Sequence, residues 1–380
     1  MRITLFTEVF LPKVDGVVTR VTRTVEQLTA LGHEVQVVAP GTPPREYAGA
    51  RVVRVPSLPL WPVYPELSFG LPTPAPLAAV HRFDPDVVHA VNPVWTAAAG
   101  VLYARVTGRP LLASYHTNVP EYTAALSIGF ARRPAEWVIR ALHNRAQVNL
   151  CTSAPMVEQA REFGIERVDL WPKAVDTVTF TPEAADPAMR ARLTDGHPEA
   201  PLVAYVGRMS REKSLDRLPG VMAELRRRVP GARLAMVGDG PHLERLRGGF
   251  DPDSTVFTGY LAGAELAAAH AAADVFVFPS TTETLGLVAL EAMASGVPVV
   301  GARAGGIPFV IDDPATGRLV DPEADDARWA EVVAGLLDDV ALRARMARAA
   351  RAEAERHSWR AATERLVDCY RLAARRRGSD

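Results

Sequence analysis

Cysteine and lysine are both scarce in this 380-residue chain, which carries two cysteines, Cys151 and Cys369, and three lysines, Lys13, Lys173 and Lys213. Two distant cysteines in no metal-like spacing argue against a disulfide scaffold and a thiolate metal site, and they suit a reducing, cytoplasmic setting. No uninterrupted run of 18 or more apolar residues occurs, so no membrane-spanning helix is expected. The first residues, MRITLFTEVFLPKVDG, lack the charged lead and long apolar run of a secretion signal and read as a buried strand. A formal net charge of −1 is too near zero for a nucleic-acid binder. Phosphate-loop signatures are missing as well. The first strand is followed by TEVFLPKVDGVV, with Gly16 alone, and GDGP at 238–241 lacks a third glycine at the right spacing. Neither a dinucleotide cofactor nor Walker-type chemistry is expected.

What is present is an apolar fraction of 48%, enough for two cores at this length. Short apolar runs alternate with helical patterns throughout, the mark of parallel α/β architecture. In the first half RITLFTEV, EVQVVAP, RVVRV, DVVHAV, PLLASYH, VNLCTS and ERVDLWP read as strands, with a helix from Val17 to Leu31 closed by Gly32. KAVDTVTFTPEAADP reads as a connection. The pattern then restarts with LVAYVG, RLAMVG, TVFTG, DVFVFPS, VPVVG and GRLVDP. Two α/β domains are therefore expected, 1–175 and 176–357, with a helical Arg-rich tail over 358–380.

Three stretches carry chemistry. In PSTTETLGLVALEAMASGVPVV, the segment from Gly286 to Ser295 reads as a short helix, apolar or small except for Glu291. A buried, unpaired carboxylate costs several kcal/mol. Glu291 therefore needs either a structural partner or a ligand with donors, and the paired hydroxyls of a ribose suit it. The unpaired amides of a helix start form an anion site, so Leu285, Gly286 and Leu287 could hold a phosphate, with Glu283 beside whatever it carries. The structural alternative for Glu283 is helix-start electrostatics, worth about 0.3–1 kcal/mol. In YVGRMSREKSLD, a strand ends at Gly207 and presents Arg208, Arg211 and Lys213, cations able to clamp a diphosphate or simply to sit in water. In LLASYHTNVPEY, His116 falls at a strand end among Tyr115, Thr117 and Asn118, a polar patch where ligands of open α/β sheets bind.

Taken together these blocks resemble glycosyltransferase family 4, the retaining glycosyltransferases of GT-B fold. The resemblance covers the whole chain. Its most specific part is the E-x7-E pair Glu283 and Glu291 in ETLGLVALE. VGRMSREKSLD, VGDGP, FTGYL and the tail HSWRAATERLVDCY follow in the family's order. Within the family, GARVVRVPSLPL, FDPDVVHAVNP, SYHTNVPEY and LWPKAVDTVTFTP are most similar to sulfoquinovosyltransferases, although His116-Thr117-Asn118 stands where those read H-T-H, and PKVDGVV is closer to mannosyl- and glucosyltransferases.

The resemblance implies two Rossmann-like domains facing a central cleft, the first acceptor-binding and the second donor-binding. It also implies a C-terminal helix that crosses back to the N-terminal domain. It places Glu291 on the donor ribose, Glu283 on the transferred sugar, and Arg208 and Lys213 on the leaving diphosphate. His116 would face the sugar, and Gly16 would let its loop approach the phosphates. No cofactor and no metal are implied, the nucleotide-sugar being a substrate. The donor is a UDP-sugar in the first reading and a GDP- or UDP-hexose in the second. The acceptor is a diacylglycerol-like lipid or a soluble small molecule. The stretch EYTAALSIGFARRPAEWVIRALHNRA interleaves apolar residues with Arg132, Arg133, Arg140 and Arg145, as a surface lying on the inner face of a membrane would, or an ordinary domain helix. A sugar-nucleotide 2-epimerase and a non-catalytic sugar-nucleotide-binding subunit are the competing functions.

Overall fold

The computed structural model describes residues 1–13, 15–60, 64–71, 73–116 and 132–378. Thr117, Asn118 and the 121–131 part of the basic stretch lie outside the described residues. The chain divides into two units, the first made of Met1–Pro172 with Trp359–Asp380 and the second of Lys173–Ser358.

Unit 1 runs β1 (Arg2–Thr7), α1 (Gly16–Ala30), β2 (Glu34–Pro40), β3 (Glu46–Tyr47), β4 (Ala50–Val55), β5 (Ser57–Leu60), β6 (Tyr64–Gly70), α2 (Pro74–Phe83), β7 (Val87–Val91), α3 (Thr96–Thr107), β8 (Leu111–Tyr115), α4 (Arg132–His143), β9 (Val148–Cys151), α5 (Ala154–Glu162) and β10 (Val168–Leu170). Its eight-stranded sheet has the order β10-β9-β8-β7-β1-β2-β4-β3, parallel except for the β3–β4 edge. β7 and β8 are buried along their whole length, so they read as continuous apolar runs, as strands covered on both faces must. Successive side chains of β1 divide between the two faces. Ile3 and Leu5 pack with Val21, Val25 and Leu28 of α1, whereas Phe6 packs with Ala97 and Val101 of α3.

Unit 2 continues with α6 (Pro187–Leu193), β11 (Leu202–Val206), α7 (Leu218–Arg228), β12 (Arg233–Val237), α8 (Leu243–Arg247), β13 (Thr255–Gly259), α9 (Gly263–Ala271), β14 (Val275–Phe278), α10 (Leu287–Ala294), β15 (Val299–Ala302), α11 (Ile307–Val310), β16 (Gly317–Val320), α12 (Asp326–Asp338) and α13 (Val340–Glu355). The six strands are all parallel, in the order β13-β12-β11-β14-β15-β16. That order reverses between β11 and β14, as in a doubly wound nucleotide-binding sheet.

The last helix, α14 (Trp359–Arg377), belongs to unit 1. Leu366, Val367, Tyr370 and Ala373 bury one face of it in the same core as α1 and β1. Arg20 of α1 marks both places where the chain passes between the units. Its guanidinium donates to Pro172 O at 2.6 Å and lies 4.3 Å from the Trp171 ring and 5.4 Å from Trp359. Burial lowers its pKa to about 9. In unit 2 the two chain segments run side by side, Val175 N donating to His357 O at 2.9 Å and Lys173 Nζ lying 3.0 Å from Glu353.

Three details differ from the sequence reading. Helix α1 starts at Gly16, one residue early, because the Asp15 carboxylate accepts from the Val17 and Val18 amides at 3.0 and 2.9 Å. The first boundary falls at 172/173 against the expected 175/176, since Lys173 is tied to Glu353 and to Phe309 O within unit 2. SLPLWPVYPELSFG holds an antiparallel pair, β5 and β6, that its prolines hid.

Candidate active site

Seven of the residues singled out from the sequence, together with Glu291, fall in unit 2 on the segments that follow β11 and β14, where the strand order reverses. After β11 the chain turns at Gly207 and passes Arg208, whose carbonyl accepts the buried Tyr205 hydroxyl at 2.9 Å. Burial, with the negative charges of Glu283 and Glu212, holds the Tyr205 phenol well above its ordinary pKa, so it stays a donor. Met209 N donates to Asp239 O at 2.8 Å, and His242 N to Met209 O at 3.0 Å, which ties this loop to the GDGP turn after β12. A 3-10 turn over Arg211–Lys213 then aims Lys213 at Glu283.

Lys213 Nζ and Glu283 Oε1 form a hydrogen-bonded ion pair joining the loops after β11 and β14, with side-chain exposures of 21% and 14%. Thr282 Oγ1 reinforces the junction by donating to Glu212 O at 3.2 Å. All three lysines prove to be ion-paired, Lys13 with Asp15 and Lys173 with Glu353. Scarcity alone therefore does not single out Lys213; its position does.

The Glu283 loop is braced from behind by a pair of glycines that the sequence reading passed over. Gly306 N donates to Glu283 O at 2.6 Å, and a methyl group on Gly306 would lie 2.3 Å from Thr284 O. Gly306→Ala is therefore expected to displace the loop and cut turnover by about 10²-fold, the cost of misplacing a reacting group by an ångström. The check is kcat of the purified variant beside its melting curve.

Helix α10 opens at Gly286, whose φ of +82° is a left-handed conformation that favours glycine. No side chain among the described residues caps this start. Among the described residues, the Leu285, Gly286 and Leu287 amides donate to no backbone carbonyl. By contrast, the start of α1 beside Gly16 is already occupied by Asp15. Glu291, 17% exposed, lies 3.6 Å from His270 Nε2 of α9. His270 is buried against Phe180 and Phe276, and neither ring nitrogen has a hydrogen-bond partner among the described residues. The neighbour that faces Glu291 is thus a histidine beyond hydrogen-bonding distance.

His116 and Gly16 belong to unit 1. His116 is buried at the end of β8, and a hydrogen-bonded file runs behind it. Its Nε2 is 2.8 Å from Ser114 Oγ, which is 2.9 Å from His89 Nε2, whose Nδ1 is 2.8 Å from Tyr370 Oη on α14. Burial first, then the positive charge of Arg20 and the neighbouring histidines, lowers the His116 pKa well below its usual value, so the ring is neutral at pH 7. Sequence reasoning missed Ser114 and His89, which alternate along two adjacent strands, and Tyr370, which only the packing of α14 brings to them. Burial pushes the Cys151 thiol up to about 12, removing it as a nucleophile. Among the described residues no cluster of metal-ligating side chains occurs, and no helix is long and apolar enough to cross a membrane.

Two parallel α/β units, one with a nucleotide-type switch point lined by the Lys213–Glu283 ion pair and an uncapped helix start, define a GT-B glycosyltransferase. Residues 14–179 match the family described as Glycosyltransferase Family 4, and residues 194–353 match Glycosyl transferases group 1. The chain belongs to glycosyltransferase family 4 and uses a nucleotide-sugar donor. It is 40% identical to Sulfoquinovosyl transferase SQD2 of Arabidopsis thaliana, over 93% of this chain and 70% of that one. It is 38% identical to a GDP-mannose-dependent alpha-mannosyltransferase of Mycobacterium tuberculosis, over 99% of this chain and 98% of that one. Among solved structures, a sucrose-phosphate synthase from Thermosynechococcus elongatus superposes with a TM-score of 0.80 at 25% identity, covering 97% of this chain and 98% of the other. HepE of Anabaena, solved in complex with UDP-glucose, shares the fold with a TM-score of 0.77 at 18% identity, covering 97% of this chain and 99% of that one.

Proposed function

We propose that the protein transfers a sugar from a UDP-sugar, UDP-sulfoquinovose being the first candidate, to a diacylglycerol-like lipid with retention of configuration. The observation that carries this reading is the Lys213–Glu283 pair, set at the β11/β14 switch point beside the uncapped start of α10. Arg208 and Lys213 take the diphosphate, with the Leu285, Gly286 and Leu287 amides adding donors at the positive end of the helix. Glu291 accepts from the ribose hydroxyls. Glu283 accepts from hydroxyls of the transferred sugar, exchanging part of its bond to Lys213 for them.

The bond from the anomeric carbon to the phosphate oxygen breaks, and charge grows on both sides of it. The cation pair stabilises the departing diphosphate, which serves electrostatically where other transferases use a metal ion. The acceptor oxygen attacks from the face being vacated, and its proton passes to the departing phosphate oxygen. His116, neutral and fixed by Ser114, is a polar group that carries no positive charge at pH 7.

A lipid acceptor is supported by the 40% identity to the Arabidopsis enzyme and by helix α4, where Trp137, Val138 and Arg140 are exposed together. Apolar and basic side chains on one exposed helix suit peripheral contact with an anionic bilayer, here its inner face. A second reading, mannosyl transfer from GDP-mannose, is favoured by the Mycobacterium tuberculosis relative, which this chain spans almost completely. Incubation with UDP-sulfoquinovose or GDP-mannose and diacylglycerol vesicles, followed by proton NMR of the product, separates the readings. An α-linked sulfoquinovosyl lipid is expected. A β-linked product would overturn retention, and transfer from GDP-mannose alone would put the second reading in place of the first.

A further inference from the structure

A cavity lined by arginines lies within unit 1, at the opposite end of the sheet from His116. It measures about 540 Å³ and opens beside Leu111, the first residue of β8, and Gln147, just ahead of β9. The end of α14 supplies Arg375, Arg376 and Arg377 to its wall; Arg105 and Arg109 come from the end of α3 and the turn after it, and Arg145 and Arg167 from the turns before β9 and β10. Seven arginines thus line one cavity in a protein whose net charge is −1, and among the described residues no carboxylate lines it.

Several of these arginines are held in place by backbone. Arg167 donates from Nε to Ala146 O at 2.9 Å and from Nη2 to Asn144 O at 2.6 Å, and its own φ is +53°, a left-handed conformation uncommon for any residue but glycine. Arg376 Nη1 donates to Gln147 O at 2.8 Å, and Arg377 Nε to Gly108 O at 3.4 Å. Two carboxylates beyond the lining neutralise part of the charge, Asp84 on Arg109 and Glu166 on Arg167 at 2.9 Å. Like charges brought this close repel one another, and a surface that needed only solubility would disperse them. Arginines held by carbonyls around one concavity offer their remaining N–H groups to the oxygens of phosphate groups.

We propose that this cavity binds a multiply charged phosphate anion of the diphosphate class, at a site separate from the donor site of unit 2. Arg105, at an exposed position, supplies an adaptable donor, while Arg145, whose Nη1 donates to Ala141 O at 2.6 Å, sets the shape with Arg167 and Arg376. The exposed Leu102 and Val106 share one face of α3 with Arg105, so the anion could be the headgroup of a lipid as well as a free phosphate compound.

The test is calorimetric titration of inorganic pyrophosphate into the full chain, into Arg105→Glu and into Arg145→Gln. Both substitutions lie at exposed positions, and a melting curve confirms that each variant is folded. Wild type is expected to bind at two classes of site. Each variant is expected to lose one class by roughly tenfold or more, as removal of a charged hydrogen bond implies. Identical isotherms for all three chains would overturn the proposal, as would a single class in wild type that neither substitution alters. Sedimentation with phosphatidylcholine vesicles carrying phosphatidic acid distinguishes the sources. A lipid headgroup predicts co-sedimentation that Arg105→Glu reduces; a free anion predicts sedimentation equal in both chains while the titration still differs.

Discussion

Lys213→Ala is expected to lower kcat by about 10²–10³, the usual cost of removing one preorganised charge from a developing anion. The loss falls on kcat and on donor affinity together, because the diphosphate is charged before and after the bond breaks. Glu283 is left without its ion partner at 14% exposure, so a stability loss of about 1.5–3 kcal/mol accompanies it. Lys213→Arg keeps the charge but not the compact geometry of the ammonium, and is expected to restore stability more than turnover. Steady-state kinetics together with urea unfolding separate the two effects. Full turnover in Lys213→Ala would remove this residue from the mechanism.

The largest stability effect is expected at Glu8, a residue with no counterpart in the motif set. Its side chain follows β1 and reaches the start of α3, where Oε1 accepts from the amides of Val94, Trp95 and Ala97 at 3.0, 2.7 and 3.0 Å and Oε2 from Thr96 at 3.0 Å. Burial raises the carboxyl's pKa against the lowering pull of those four amides. Glu8→Ala removes the acceptor for all four; the Val94, Thr96 and Ala97 bonds are part-buried and the Trp95 bond exposed, and each donor left unsatisfied away from water costs about 1–3 kcal/mol. A loss of several kcal/mol is expected. Glu8→Gln keeps an oxygen for the amides and is expected to lose markedly less. Urea midpoints of the two variants test this, and equal midpoints would show that the amides find other partners.

The two cases show what could be read from the sequence. Strands buried on both faces announce themselves as apolar runs, so β7, β8, β11 and β14 were legible, and with them the two-unit α/β plan. Glu291 stood out because a carboxylate inside an apolar helix is costly without a partner, whereas Glu283 and Lys213 stood out only as charged residues in loops beyond strand ends, and their meeting is visible only in the fold. Glu8 sits at a strand end too, but its partners are backbone amides 86 to 89 residues away, which leave no trace in side-chain pattern. The same holds for Gly306, whose importance lies in a carbonyl 2.3 Å from an absent methyl group. His270 was hidden among alanines, and only the fold brings it to Glu291. The arginine cavity was invisible for a further reason. Its members come from α3, the turns before β9 and β10, and the tail, and arginine is common everywhere in this chain.

The central claim is that the loops after β11 and β14 bind the diphosphate and ribose of the donor. Isothermal titration of UDP and of GDP into wild type and into Glu291→Ala tests it most directly. One nucleotide is expected to bind one-to-one, and its affinity should fall at least roughly tenfold when the ribose acceptor is removed, with the melting curve otherwise retained. Binding of neither nucleotide, or equal binding in both chains, would contradict the account.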